Sequence, residues 1–141
     1  MKKEKSCGAI IYEFENEEIY ILLLKHNQGH WSFPKGHMEK NETEYETAVR
    51  EVKEETNLEV EINEKYRYIS SYNPEPNVSK EVIFFLGKAK TNDIKAQETE
   101  ISDIKWYKYP EILSIITHEK DKKILKRAIN DISSLSSCKK S

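Results

Sequence analysis

The chain has 141 residues, a length that fits a single domain. Its 23 lysine and arginine residues nearly balance 25 aspartate and glutamate residues, so the net charge is −2 although 34% of the residues are charged. This balance excludes the basic footprint of a duplex-DNA binder and the charge imbalance of a disordered chain. The longest apolar runs, such as residues 19–24, are far shorter than the ~20 residues that span a membrane.

The two cysteines, Cys7 and Cys138, lie near opposite ends of the sequence and lack the spacing of metal ligands. The basic first residues are not followed by the apolar stretch and cleavage site of a signal peptide. We therefore expect reduced thiols and a cytoplasmic protein.

The first third of the sequence predicts short strands. Residues 9–12 and 19–24 are apolar and β-prone, which predicts two strands joined by a polar turn. A loop is predicted at 26–30, followed by a short strand at 31–34 that Pro34 restricts to an edge or terminal position.

Helical spacing of apolar residues begins after Glu42, with charges at nearly every other position. Asn41 or Thr43 is predicted to cap this helix, and Asn57 is predicted to end it. The face expected to pack on a sheet consists of Tyr45, Ala48, Val49 and Val52.

The rest of the sequence predicts more strands and one or two helices. Strands are expected at 60–72, 81–90 and 104–107, a loop at 73–77, a helix start at Pro110, and a final helix with an apolar stripe over 124–132. This order of elements indicates an α+β fold with a mixed sheet. One domain is predicted over residues 1–135, with a frayed tail over 136–141.

Three glutamates follow at i, i+3 and i+4 on the predicted central helix: Glu51, Glu54 and Glu55. They share one face, where like charges repel by a few tenths of a kcal/mol per exposed pair. A hard divalent cation with oxygen ligands would compensate for that repulsion. The alternative is an acidic helix face that is simply solvated.

The sequence around these glutamates resembles the Nudix box, G-x5-E-x7-R-E-U-x-E-E-x-G-U, where U is a bulky aliphatic residue. Residues 36–58 match every specified position except one, where Asn57 stands in place of glycine. Asparagine is the non-glycine residue that best tolerates a left-handed conformation, so we expect the turn to be preserved.

The resemblance implies a Nudix-type α/β/α sandwich around a central mixed β-sheet, and hydrolysis of compounds that contain a linked nucleoside diphosphate. It implies Mg²⁺ as the cofactor, with Mn²⁺ as a substitute. The implied metal ligands are Gly36, through its carbonyl, and Glu51, Glu54, Glu55 and Glu100.

Further catalytic roles follow from the same resemblance. Arg50 and Glu42 are implied to orient the metal-binding carboxylates. The glutamate that activates water stays open between Glu54, Glu55 and Glu100, which lies six residues before Trp106. For Glu100 the alternative is an ordinary polar loop residue.

The run at residues 30–37, HWSFPKGH, resembles the asymmetrical diadenosine tetraphosphate hydrolases, a branch of the family that cuts its substrate into ATP and AMP. A polyphosphate needs cations besides the metal, and His30, Lys35 and Lys80 are suitable. Lys80 begins a segment that is similar to the family's strand with a phosphate-binding lysine.

An adenine ring needs an aromatic stacking partner. Tyr72 lies about one residue from the stacking tyrosine of those enzymes, and His118 stands where they have a second one. Packing in the core or in a loop is the alternative for both rings.

The leading hypothesis is therefore a magnesium-dependent dinucleoside polyphosphate hydrolase. The alternatives are a Nudix pyrophosphatase acting on nucleoside triphosphates, oxidised nucleotides or RNA 5′ ends, and a non-catalytic nucleotide-sensing module. The expected partner is a small nucleotide, not duplex DNA or a membrane, and we expect a monomer or weak dimer.

Overall fold

The computed structural model describes residues 2–97 and 99–140, except the side chains of 136–140. The elements are β1 (Lys2–Glu15), β2 (Glu18–His26), β3 (Trp31–Ser32), β4 (Lys35–His37), α1 (Glu44–Thr56), β5 (Val60–Glu75), β6 (Val78–Ala89), β7 (Ile101–Lys108), a 3-10 turn (Glu111–Ser114) and α2 (Glu119–Lys140). The predicted α+β class is confirmed. No helix of these described residues is long and apolar enough to cross a membrane.

The seven strands form one sheet, in which β3, β2, β1, β6 and β5 are successive neighbours. Strand β4 pairs with β1, and β7 pairs with β2. Residues 2–11 of β1 run parallel to residues 78–87 of β6, whereas the other pairings are antiparallel. The sheet is therefore mixed, as predicted.

The two helices cover opposite faces of this sheet. Successive side chains of a strand point to opposite faces, so β1 contributes to two cores. Ile10 lies in a cluster with Leu125 and other residues of α2, whereas Ile11 lies in a cluster with Val52 of α1. These layers are the predicted α/β/α sandwich.

Helix α1 begins and ends as the sequence predicts. The Thr43 hydroxyl accepts a hydrogen bond from the Glu46 amide at 3.0 Å, and the Glu46 carboxylate accepts one from the Thr43 amide at 2.9 Å. Such a capping residue stabilises a helix by about 1 kcal/mol. Asn57 ends the helix with φ of 68°, so the expected left-handed turn is confirmed.

Three local predictions need correction. Tyr45 is 40% exposed, because Thr47 and Ala48 take the buried positions in the first turns of α1. The expected loop at 73–77 is mostly strand: β5 is an edge strand, so the missing amide of Pro74 breaks no pairing on its open side. The strand predicted at 31–34 covers only Trp31–Ser32, and a separate strand, β4, begins after Pro34.

Two further predictions concern the last helix and the end of the chain. Helix α2 begins at Glu119, before the predicted apolar stripe. The predicted frayed tail, 136–141, falls on side chains that lie outside the described residues and on Ser141, which also lies outside them, so it stays a prediction.

Candidate active site

The candidate active site begins where β4 passes closely over α1. Gly36 lies in β4, and the Glu51 carboxylate occupies the space that a side chain at position 36 would need. A Cβ atom at Gly36 would overlap this carboxylate. The glycine therefore allows a backbone carbonyl and a helix carboxylate to lie side by side.

Arg50 links most of the acidic groups at this junction. Its guanidinium donates to Glu42 at 2.6 and 2.9 Å, to Glu51 at 2.6 Å and to Glu54 at 3.2 Å. It also donates to the His37 carbonyl at 2.9 Å, which fixes α1 to β4. The hydrogen bonds from Arg50 and the Glu39 amide lower the pKa of Glu42 to about 2.

Glu55 is the most buried of the three helix glutamates, with 5% of its surface exposed. It accepts a hydrogen bond from the Lys35 backbone amide at 2.9 Å. Burial raises the pKa of Glu55 to about 8, and the negative charges of Glu51 and Glu100 act in the same direction. Burial also raises the pKa of Glu51. Both carboxylates thus lie where a nearby cation would favour their charged forms.

Glu100 lies in the turn before β7, and its backbone carbonyl accepts a hydrogen bond from the Asn27 amide at 2.9 Å. The turn is tied to the end of α1, because the Gln97 amide donates to the Glu55 carbonyl at 3.3 Å. The structure therefore brings Glu100 near Glu55, although 45 positions separate them in the sequence.

The oxygen-rich donor set fits a hard divalent cation, which prefers carboxylate and carbonyl oxygens. Within residues 2–97 and 99–140, however, no three histidine, cysteine, aspartate or glutamate side chains converge as a ligand group. The Arg50 guanidinium forms ion pairs with both Glu51 and Glu54, so it neutralises part of their negative charge.

A cavity of about 430 Å³ lies on the other side of Lys35. It is lined by His30, Ser32, Lys35, Ser70, Tyr72, Val82, His118, Glu119, Lys120 and Asp121. Its size is typical of small-molecule sites. The structure thus brings together four of the five predicted substrate-binding residues. Lys80, the fifth, pairs with Tyr72 across β5 and β6 but is not among the lining residues.

His30 and His118 form a histidine wall of this cavity, and a third histidine, His26, stacks on His30. The rings of His26 and His30 stack with centroids 4.2 Å apart, and His118 is tilted against His30 at 5.6 Å. The Nε2 atom of His26 is 2.9 Å from the Ser32 hydroxyl. Burial, followed by the positive charges of His30, Lys35 and His118, lowers the pKa of His26 to about 4. The wall therefore carries hydrogen-bonding groups whose protonation an anion would favour.

Tyr72 also lines this cavity, and 39% of its surface is exposed. The Lys120 ammonium lies 5.3 Å from the Tyr72 ring centroid and donates to the Ser71 carbonyl at 2.7 Å. A cation and an open aromatic face therefore stand side by side, which suits a ligand with a phosphate and a ring.

Sequence reasoning missed the other six lining residues of this cavity, Ser32, Ser70, Val82, Glu119, Lys120 and Asp121, and it missed His26, which stacks on His30. Glu119, Lys120 and Asp121 lie one to three positions after His118, so their nearness in sequence to a candidate residue was the available signal. His26 gave no such signal, since its stacking on His30 depends on how the intervening turn folds.

A larger open cavity of about 590 Å³ lies elsewhere, lined by Phe14, Ala89 and Trp106 among others. None of the predicted site residues lines it. The predicted site residues therefore lie around Lys35, in the carboxylate site and in the neighbouring cavity of about 430 Å³.

The mixed-sheet sandwich and the close contact of Gly36 with Glu51 are features of a known class of protein, which a match to a family of protein domains identifies. The NUDIX domain family matches residues 2–128, so the chain belongs to the Nudix hydrolase family.

Two curated relatives and one solved structure narrow the resemblance. The asymmetrical bis(5′-nucleosyl)-tetraphosphatase of Mus musculus is 34% identical over 106 residues, covering 64% of this chain and 69% of the relative. The protein of the same description from Caenorhabditis elegans is 29% identical over 128 residues, covering 87% and 92%. A crystal structure of a C. elegans Ap4A hydrolase binary complex superposes with a TM-score of 0.84 at 26% identity, covering 93% of this chain and 98% of the other.

Proposed function

We propose that this chain is a metal-dependent hydrolase that cleaves diadenosine tetraphosphate into ATP and AMP. The observation that carries the proposal is the position of Lys35. Its backbone amide donates to Glu55 in the carboxylate site, and its side chain lines the cationic, aromatic cavity. A polyphosphate lying across Lys35 would therefore reach both sites at once.

The groups that would hold the cation are Gly36, through its carbonyl, and Glu51, Glu54, Glu55 and Glu100. We propose Mg²⁺, with Mn²⁺ as a substitute. When bound, such an ion stabilises negative charge on phosphate oxygens and makes water a better nucleophile. Arg50 keeps Glu51 and Glu54 in reach of this position, and it holds Glu42 and β4 in place.

The remaining steps belong to the chain's own side chains. Lys35 and His30 hold phosphates, and Tyr72 and His118 contact a base. A glutamate accepts the proton of the attacking water; Glu54, Glu55 and Glu100 are the candidates. Water attacks one phosphorus, and the bond from that phosphorus to its bridging oxygen breaks to release the other product.

The test is side-by-side turnover of diadenosine tetraphosphate, deoxynucleoside triphosphates and 5′-triphosphorylated RNA, with and without Mg²⁺ and with products identified. Cleavage of the first into ATP and AMP, faster than of the others, supports the proposal. Preference for a mononucleotide or an RNA end would instead establish a pyrophosphatase of another specificity.

Variants separate catalysis from binding. Glu54→Gln and Glu55→Gln are expected to lose activity, with Glu59→Gln as a control, because Glu59 is exposed and outside the site. If neither the wild type nor any variant releases product while nucleotide still binds, the chain is a sensing module; if all four proteins are equally active, Glu54 and Glu55 are not catalytic. Lys80→Ala should weaken use of the tetraphosphate more than use of shorter substrates; an equal effect on both would remove Lys80 from the phosphate contacts.

The expected cytoplasmic location, the monomeric or weakly dimeric state, and the lack of duplex-DNA binding stay predictions from the sequence.

A further inference from the structure

Asp121 is a buried carboxylate for which the described part of the chain offers no hydrogen-bond or ion-pair partner. It lies in the first turn of α2 and lines the cavity of His118 and Tyr72, with 9% of its surface exposed. An acidic residue three positions after a helix cap commonly accepts a hydrogen bond from the cap's amide. Among the described residues, no such bond and no ion pair within 4.0 Å engages the Asp121 side chain.

The Asp121 oxygens face the cavity. Every fully enclosed side-chain nitrogen or oxygen of the described residues has a hydrogen-bond partner. The oxygens of Asp121 lack one, so they must reach open space, and the cavity is the space beside them. Burial raises the pKa of Asp121, while the charges of Lys35 and His118 oppose that shift.

A carboxylate at this position is unfavourable for a phosphate, because like charges repel. The cavity already has Lys35 and Lys120 for phosphates. The part of a nucleotide that can satisfy Asp121 must carry hydrogen-bond donors, which means N–H groups of the base or hydroxyls of the ribose. The exposed Tyr72 ring and His118 in the same cavity favour the base.

We propose that Asp121 determines base specificity by accepting hydrogen bonds from the Watson–Crick edge of a purine that contacts Tyr72 and His118, and that it favours guanine over adenine. The proposal rests on the proposed function, because it keeps the cleavage of a dinucleoside tetraphosphate and adds which purine the base site prefers when a substrate offers both. An ionised carboxylate only accepts hydrogen bonds. Guanine offers two adjacent donors, N1–H and N2–H, whereas adenine offers one donor beside the acceptor N1.

The test uses a tetraphosphate with adenosine at one end and guanosine at the other. Asymmetric cleavage gives either AMP and GTP or GMP and ATP, and the base held in the cavity decides which pair forms. Both ends have the same ribose and phosphates, so contacts to those groups cancel in the product ratio. We expect one pair to exceed the other by roughly tenfold in the wild type, since a two-point base contact discriminates to about this degree.

Asp121→Asn is the decisive variant. An amide has one donor and one acceptor, which complement adenine rather than guanine. The product ratio should therefore fall toward one or reverse. Glu111→Gln is the control, because Glu111 is exposed, pairs with Lys108 at 3.7 Å and is not among the lining residues of the cavity; its ratio should equal that of the wild type.

Three outcomes overturn the proposal: an even ratio in the wild type, an unchanged ratio in Asp121→Asn, or the same change in Glu111→Gln. An unchanged ratio with reduced activity would assign Asp121 to the ribose or to the fold. If the variant does not fold, the wild type is given a substrate with inosine in place of guanosine. Inosine lacks the N2 amino group, so the bias should shrink; an undiminished bias overturns the proposal.

Failure of the proposed function gives a different result. If no tetraphosphate is cleaved, calorimetric binding of GMP and AMP still measures the base preference. Tighter binding of GMP that Asp121→Asn abolishes supports the role of Asp121, and equal binding of the two nucleotides overturns it.

Discussion

The carboxylate site and the cavity beyond Lys35 are built in opposite ways. The carboxylate site comes mainly from one segment, residues 36–58, and Glu100 joins it from the turn before β7. Its acidic groups are held by hydrogen bonds from Arg50 and from the Lys35 amide. The cavity draws its lining from segments around residues 30–35, 70–82 and 118–121, and one of its carboxylates has no partner among the described residues. The proposed reaction chemistry thus depends mainly on one local segment, whereas the proposed ligand contacts depend on tertiary folding.

The strongest test of the first region is Gly36→Ala. The new Cβ atom would overlap the Glu51 carboxylate, so we expect hydrolysis to fall by about 100-fold or more, since displaced metal-site groups have effects of this order. Steady-state kinetics and thermal unfolding check the result. Gly87→Ala is the control, because its Cβ would press on Val60, away from the site. This variant should lower the stability but leave the activity unchanged. Full activity of Gly36→Ala would contradict the close approach of β4 and α1.

Arg50→Lys tests whether the guanidinium geometry, and not only its charge, organises the carboxylates. Lysine cannot reach Glu42, Glu51 and the His37 carbonyl together, so activity should fall about 10–100-fold. Arg67→Lys is a matched control, because Arg67 binds Glu44 through two bonds of 2.8 Å outside the site. Comparable losses of kcat/KM in both variants would show a general effect on stability.

The pKa of Glu55 predicts how the metal-free protein responds to pH. Its folded pKa of about 8 exceeds the ordinary 4.5, so between these values the folded state holds a proton that the unfolded state releases. The free energy of unfolding should therefore fall as pH rises through this window, by about 1–3 kcal/mol. Urea unfolding with a chelator measures it. Glu55→Gln should flatten the slope and Glu59→Gln should not; equal slopes in all three proteins would refute the assignment.

The smallest effect is expected in the cavity, from Lys120→Ala. Removing this exposed cation from the Tyr72 ring should raise KM for the tetraphosphate roughly threefold to tenfold with little change in kcat, since a surface cation–π or phosphate contact is weak. Lys123→Ala, on an exposed position of the same helix, should leave KM unchanged. A large fall in kcat would move Lys120 from the binding cavity to the reaction centre.

The contrast between the two regions also explains what the sequence could predict. The spacing of Arg50, Glu51 and Glu55 is set by one helix, and the left-handed Asn57 follows from its own backbone preference, so both could be predicted from the sequence. The strand β4 could not be predicted, because its three residues are extended only through pairing with β1.

Only part of the cavity could be predicted from the sequence. Tyr72 and His118 were found by resemblance, but the partnerless state of Asp121 depends on which groups three distant segments bring near it. The same reason hid the exposure of Tyr45, since the position of a helix over a sheet decides which of its apolar residues are covered.

The parallel pairing of β1 with β6 has a consequence for biosynthesis. Translation proceeds at about 5–20 residues per second, and the partner of residues 2–11 is complete only when residue 87 has left the ribosome. Until then residues 9–11, which are apolar, have an open edge where β6 will lie. The nascent chain therefore exposes an unpaired strand edge for several seconds, and pairing with β6 protects that edge of β1 from aggregation.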